Sequence, residues 1–111
     1  MFTPASVSGT SQRRPLVVIR FDRPNVPYEQ ALYNAVRRAL DRRPDAAFDL
    51  VAVTRNAGNA AQVALETDAS KHNAENVLRS LTNMGLAADR VSLSATTSAS
   101  VQSNEVQLYV R

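Results

Sequence analysis

The sequence predicts an α+β fold, a two-layer α/β sandwich in which two helices cover one face of a four-stranded mixed sheet. The first observation behind this prediction is the order of hydrophobic patterns, which reads β-α-β-α-β-β along the chain. The second is that two long segments have apolar residues at three- and four-residue spacing, so each would form a helix with one apolar side. The third is that the last two strands alternate apolar and polar residues, which gives each strand one apolar face. A helix layer packed against one sheet face buries both kinds of surface.

The N-terminal half contains the first two predicted strands and the first helix. Residues 16–21 (Leu-Val-Val-Ile-Arg-Phe) are mostly apolar and β-branched, which is typical of a strand in the middle of a sheet. The first helix is predicted to begin near Pro27 and to end before Pro44, because a proline ring cannot continue a helix. The second strand is predicted at residues 48–54, and turn-forming residues up to Gly58 end it.

The C-terminal half contains the second helix and the last two strands. From about residue 67 the apolar spacing predicts a long helix, and Gly85 is predicted to close it in the left-handed conformation. Residues 59–65 allow either a short helix or an irregular segment. Strands three and four are predicted at residues 91–96 and 106–111. The apolar faces of these elements predict a buried core that comprises Leu32, Val36, Leu40, Val77, Leu78, Leu81, Leu93, Val106 and Leu108.

Length and composition limit the classes of protein to which this chain can belong. The chain has 111 residues, the size of one domain, and residues 15–111 are predicted to form it. Residues 1–14 have no apolar period, so we expect a disordered leader or linker there. The absence of cysteine excludes disulfides and thiolate zinc sites. No apolar run approaches the ~20 residues that a transmembrane helix needs. The sequence leaves the oligomeric state open.

The sequence contains few residues that could support catalysis or bind a metal ion. His72 is the one histidine, and its position inside the second helix predicts a solvent-facing residue. The carboxylates are scattered without metal-ligand spacing. The three glycines do not form a phosphate-binding loop. We therefore expect a protein that is not an enzyme and that has no cofactor and no metal.

Nucleic-acid binding is the alternative that the residues themselves suggest. Sandwiches with this order of elements can bind RNA on an open sheet face that carries aromatic and arginine side chains. The net charge is +3, and four arginines cluster at the end of the first helix: Arg37, Arg38, Arg42 and Arg43. Asp41 and Asp45 reduce the local positive charge. Clusters of charged residues like this one usually form the solvent-exposed surface of a helix. RNA or DNA binding is therefore kept as the weaker hypothesis.

Four segments, taken in order, carry a resemblance to a known family. They are Phe21-Asp22 at the end of the first strand, residues 54–58 (Thr-Arg-Asn-Ala-Gly) after the second, residues 69–74 (Ala-Ser-Lys-His-Asn-Ala) in the second helix, and residues 85–91 (Gly-Leu-Ala-Ala-Asp-Arg-Val) before the third strand. Over residues 16–111 the chain resembles a diverged OmpA-like, peptidoglycan-associating domain, and the resemblance implies a periplasmic module of the cell envelope. Its implied partners are a cell-wall component or an envelope protein.

Members of that family bind the diaminopimelate of the peptide stem with an aspartate after strand two and an arginine on the helix. At these positions this chain has Arg55 and Asn73, so the resemblance implies that standard peptidoglycan binding is lost. The degenerate site that it predicts consists of Arg55, Asn56, Ser70 and Asn73, close to the N-terminus of the second helix. Arg55 and the free N–H groups of that helix end would then favour a small anion.

Overall fold

The computed structural model of the protein describes residues 14–23, 25–56 and 58–111. The leader that the sequence predicts lies outside the described residues, except for Arg14. The described elements, in chain order, are β1 (Val17–Arg20), α1 (Glu29–Arg42), β2 (Phe48–Arg55), α2 (Ala60–Asn83), a 3-10 helix (Ala88–Arg90), β3 (Val91–Ser98) and β4 (Glu105–Val110). The predicted α+β class, with a four-stranded mixed sheet and two helices, is confirmed.

The strands of the sheet are arranged in the order β1-β4-β2-β3. β4 pairs antiparallel with β1 on one side and with β2 on the other, while β2 and β3 are parallel. β1 is therefore an edge strand, and its predicted place in the middle of the sheet is wrong. The reason is that β4, which comes last in the chain, inserts between β1 and β2. Local sequence patterns do not encode such long-range pairing.

α2 is one continuous helix of 24 residues, which decides the alternative that the sequence left open for residues 59–65. Asn59 begins it as an N-cap, because its Oδ1 accepts a hydrogen bond from the Gln62 backbone N at 2.8 Å. At the other end Gly85 has a φ of +104°, and the backbone N of Leu86 donates to the Leu81 carbonyl oxygen at 3.1 Å. This is the glycine-dependent helix end that the sequence predicts.

The core lies between the helices and the sheet. Six of the nine predicted core residues are buried: Leu32, Val36, Val77, Leu81, Val106 and Leu108. Leu40 and Leu78 are half-buried against this cluster. Leu93 is 48% exposed, so its predicted burial is wrong. It lies on β3 at the edge of the sheet, and α2 packs mainly against β2 and β4 and covers little of β3.

Candidate functional site

A polar cleft lies where the β1–α1 loop, α2 and the start of β4 meet. Its volume is about 540 Å³. The polar and charged side chains that line it include Arg23, Asn25, Glu29, Glu66, Asn73, Asn76 and Asn104. Carboxamides both donate and accept hydrogen bonds, and the charged groups are of both signs. This lining suits a polar ligand that is neutral or zwitterionic better than it suits a simple anion.

Arg55, at the last position of β2, is held beside this cleft by two other residues. Its Nε lies 3.1 Å from Oε2 of Glu66 on α2, and the pair is partly screened from solvent. Its backbone N donates to Asn104 Oδ1 at 2.8 Å, and Asn104 Nδ2 donates to the Glu66 carbonyl oxygen at 3.3 Å. Asn104 is buried, so its carboxamide connects the end of β2 to α2 inside the protein.

The Arg55 cluster, which we define as Arg55, Glu66 and Asn104, changes the electrostatics that the sequence predicts. From the sequence we expect Arg55 to face a small anion, in a site with no acidic partner for a ligand's ammonium group. In the structure a carboxylate from α2 already accepts a hydrogen bond from its guanidinium. The attraction of Arg55 for an outside anion is reduced accordingly.

The predicted site residues lie in three different places. Asn73 lines the polar cleft, and Arg55 adjoins it through Glu66. Ser70 is buried and lines a separate apolar groove of about 270 Å³ between α2 and β3, together with Thr54 and Leu93. Asn56 is exposed in the turn after β2, where its Oδ1 accepts a hydrogen bond from the Gly58 backbone N.

The predicted proximity of Ser70 and Asn73 to the N-terminus of the second helix is wrong. α2 begins at Ala60, so both residues lie well inside the helix, where backbone N–H groups bond within the helix. The sequence placed this start too late because the residues before Thr67 have a weaker apolar period. The free N–H groups invoked for anion binding are therefore not at this position.

Sequence reasoning did not select Glu66 and Asn104 as site residues. Asn104 lies immediately before β4, outside the four segments that carry the resemblance. Glu66 lies just before residue 67, where the sequence predicts the start of the helix. One sequence signal could have identified Glu66: it carries the carboxylate nearest in sequence after Arg55.

The described residues hold no group of three or more histidine, aspartate or glutamate side chains that could bind a metal ion. His72 is exposed on α2. Within the same residues, neither helix combines the length and the apolar character that a membrane span requires.

Comparisons with known proteins give no family for this chain: no model of a protein family matches it, and no curated protein matches it.

Proposed function

We propose that the protein is a non-catalytic binding or scaffold module of the bacterial cell envelope, similar in design to OmpA-like domains, that does not bind diaminopimelate as that family does. The observation that carries the proposal is the Arg55 cluster. The residue at the position of the family's aspartate is a cation, and this cation is already paired with Glu66. An incoming ammonium group would have to compete with Arg55 for that carboxylate.

The other half of the family's charge pair is also replaced. Asn73 lines the cleft where the resemblance places an arginine, and a neutral carboxamide cannot form an ion pair with a ligand carboxylate. The cleft itself is about 540 Å³ in volume and has a mostly polar lining. We therefore propose a different polar partner bound in the periplasm, either a segment of an envelope protein or a cell-wall component other than peptidoglycan.

The open face of the sheet gives nucleic-acid binding little support. Glu105 and Asp49 lie on strands β4 and β2, and each pairs with an arginine: Arg20 with Glu105 at 3.6 Å and Arg111 with Asp49 at 2.9 Å. Tyr109 donates to Gln107 Oε1 at 2.6 Å. The two carboxylates reduce the positive charge of the arginines that would contact phosphates.

A pull-down on purified sacculi tests the proposal. The unmodified protein should be retained no better than an unrelated protein of similar charge. A triple variant, Arg55→Asp with Glu66→Gln and Asn73→Arg, should be retained more strongly. The glutamine is needed because a new aspartate beside Glu66 would place two carboxylates together.

The matched control moves the same charge changes to exposed positions on α1. It combines Arg37→Asp and Asn34→Arg with Glu66→Gln, and it should stay at background. Strong retention of the unmodified protein would contradict the loss of diaminopimelate binding. If the triple variant binds no better than the control, the cleft lacks the geometry of the family's site. The proposed similarity to OmpA-like domains is then wrong.

A further inference from the structure

An arginine-lined cleft with an apolar floor lies at the C-terminal end of α1, apart from the polar cleft and sharing no described lining residue with it. Its volume is about 390 Å³, within the range of small-molecule sites. The described residues that line it are Leu16, Ala35, Arg38, Ala39, Arg42, Arg43 and Val110. No carboxylate is among them.

The three arginines of this cleft differ from most others in the described part of the chain. The side chains of Arg38, Arg42 and Arg43 form no hydrogen bond or ion pair there. By contrast, six arginines elsewhere bond or pair with protein atoms: Arg20, Arg37, Arg55, Arg79, Arg90 and Arg111. Three guanidinium groups without an ion-pair partner around one cleft produce a positive potential where a ligand would sit.

The end of the helix accounts for only part of this arrangement. Cations near a helix C-terminus are favourable because they oppose the negative end of the dipole, which explains Arg42 and Arg43. Arg38 lies one turn earlier. The dipole also does not explain why the guanidinium groups surround an apolar surface formed by Leu16, Val110 and two alanines.

We propose that this cleft binds an amphiphilic anion, a phosphate group joined to a hydrocarbon chain. Guanidinium groups donate paired hydrogen bonds to phosphate oxygens, so the three arginines would hold the head group. The apolar floor would cover the first part of the chain and remove it from water. No aromatic side chain is among the described lining residues, so bases have no aromatic surface to stack on, and this disfavours single-stranded nucleic acid.

Such a ligand could be a free alkyl phosphate or the phosphate of an anionic phospholipid in a membrane surface. The full-length protein, labelled with ¹⁵N, is titrated with octyl phosphate below its micelle concentration and, separately, with inorganic phosphate. Backbone amide shifts of Ala35, Ala39 and Val110 report binding. We expect octyl phosphate to bind at least about ten-fold more tightly than inorganic phosphate, because only it buries apolar surface.

Co-sedimentation with vesicles distinguishes the two sources. Binding to phosphatidylcholine vesicles that contain phosphatidylglycerol, but not to phosphatidylcholine alone, would identify the membrane surface as the source. Binding of octyl phosphate without vesicle binding would identify a free amphiphile. Both results support the proposal. Equal affinity for octyl phosphate and inorganic phosphate would overturn the proposal. It would also be overturned if the arginines of the cleft bound nucleic acid and did not bind octyl phosphate.

Charge-matched double variants test whether binding depends on the arginines of this cleft or only on the net charge of the protein. Arg38→Gln combined with Arg42→Gln should weaken octyl phosphate binding by about ten-fold or more, because two charge-assisted contacts are lost. The control is Arg37→Gln combined with Arg79→Gln, which removes the same charge from side chains outside the cleft. Ala35→Leu should also weaken octyl phosphate binding, since it fills the apolar floor without changing the charge. Equal effects of the two double variants would refute the site.

Discussion

Replacing Ser70 by alanine should stabilise the protein. Ser70 is buried, with only 2% of the residue exposed to solvent. Its Oγ has no hydrogen-bond partner among the described residues. Its surroundings are mostly methyl and methylene groups, including those of Ala52, Ala74 and Leu93. A buried polar group without a partner costs about 1–3 kcal/mol, and alanine is also the better helix former in the middle of α2.

The expected net gain is about 1 kcal/mol, after allowing for the packing contacts that the oxygen atom loses. For a domain of this size such a gain raises the melting temperature by about 4 °C. Urea unfolding followed by circular dichroism measures the change, which should appear as a higher midpoint with an unchanged slope.

Ser80→Ala on the same helix is the matched comparison and should have the opposite sign. The Ser80 hydroxyl donates to the Asn76 carbonyl oxygen at 3.2 Å and lies 3.3 Å from the Tyr28 hydroxyl. Its removal should cost about 0.5–1.5 kcal/mol. If Ser70→Ala also destabilises the protein by more than about 0.5 kcal/mol, the hydroxyl has a favourable partner and the reasoning is refuted.

Four further substitutions test the packing and the connections of the fold by urea unfolding. Leu50→Ala should cost about 2–5 kcal/mol because Leu50 is fully buried, while Leu93→Ala should cost less than about 1 kcal/mol; similar costs would contradict the exposure of β3. Asn104→Ala should cost about 2 kcal/mol, because the Arg55 backbone N and the Glu66 carbonyl oxygen both lose their bond to its carboxamide; a neutral change would show that other groups satisfy them. Gly85→Ala should cost about 1 kcal/mol or more, since alanine is strained at a φ of +104°, and a gain in stability would exclude that helix end.

Local chemistry was sufficient for the elements and for the class of fold. The period of apolar residues in α1, the alternation in β4 and the closure of α2 at Gly85 depend on residues that are close in sequence, so the sequence predicts them. The start of α2 was misplaced, because the capping by Asn59 precedes a stretch of weak apolar period.

The tertiary structure alone decided which strand is central, which leucine is exposed and which residues surround Arg55. β4 inserts between β1 and β2. Leu93 stays half-exposed because the helices cover little of β3, the edge strand on which it lies. Glu66 and Asn104 reach Arg55 from 11 and 49 residues away in sequence. These contacts depend on the packing of α2 and of the segment before β4 against the end of β2. No periodicity or motif in a single sequence specifies that packing, since long-range contacts form only when the whole sheet is assembled.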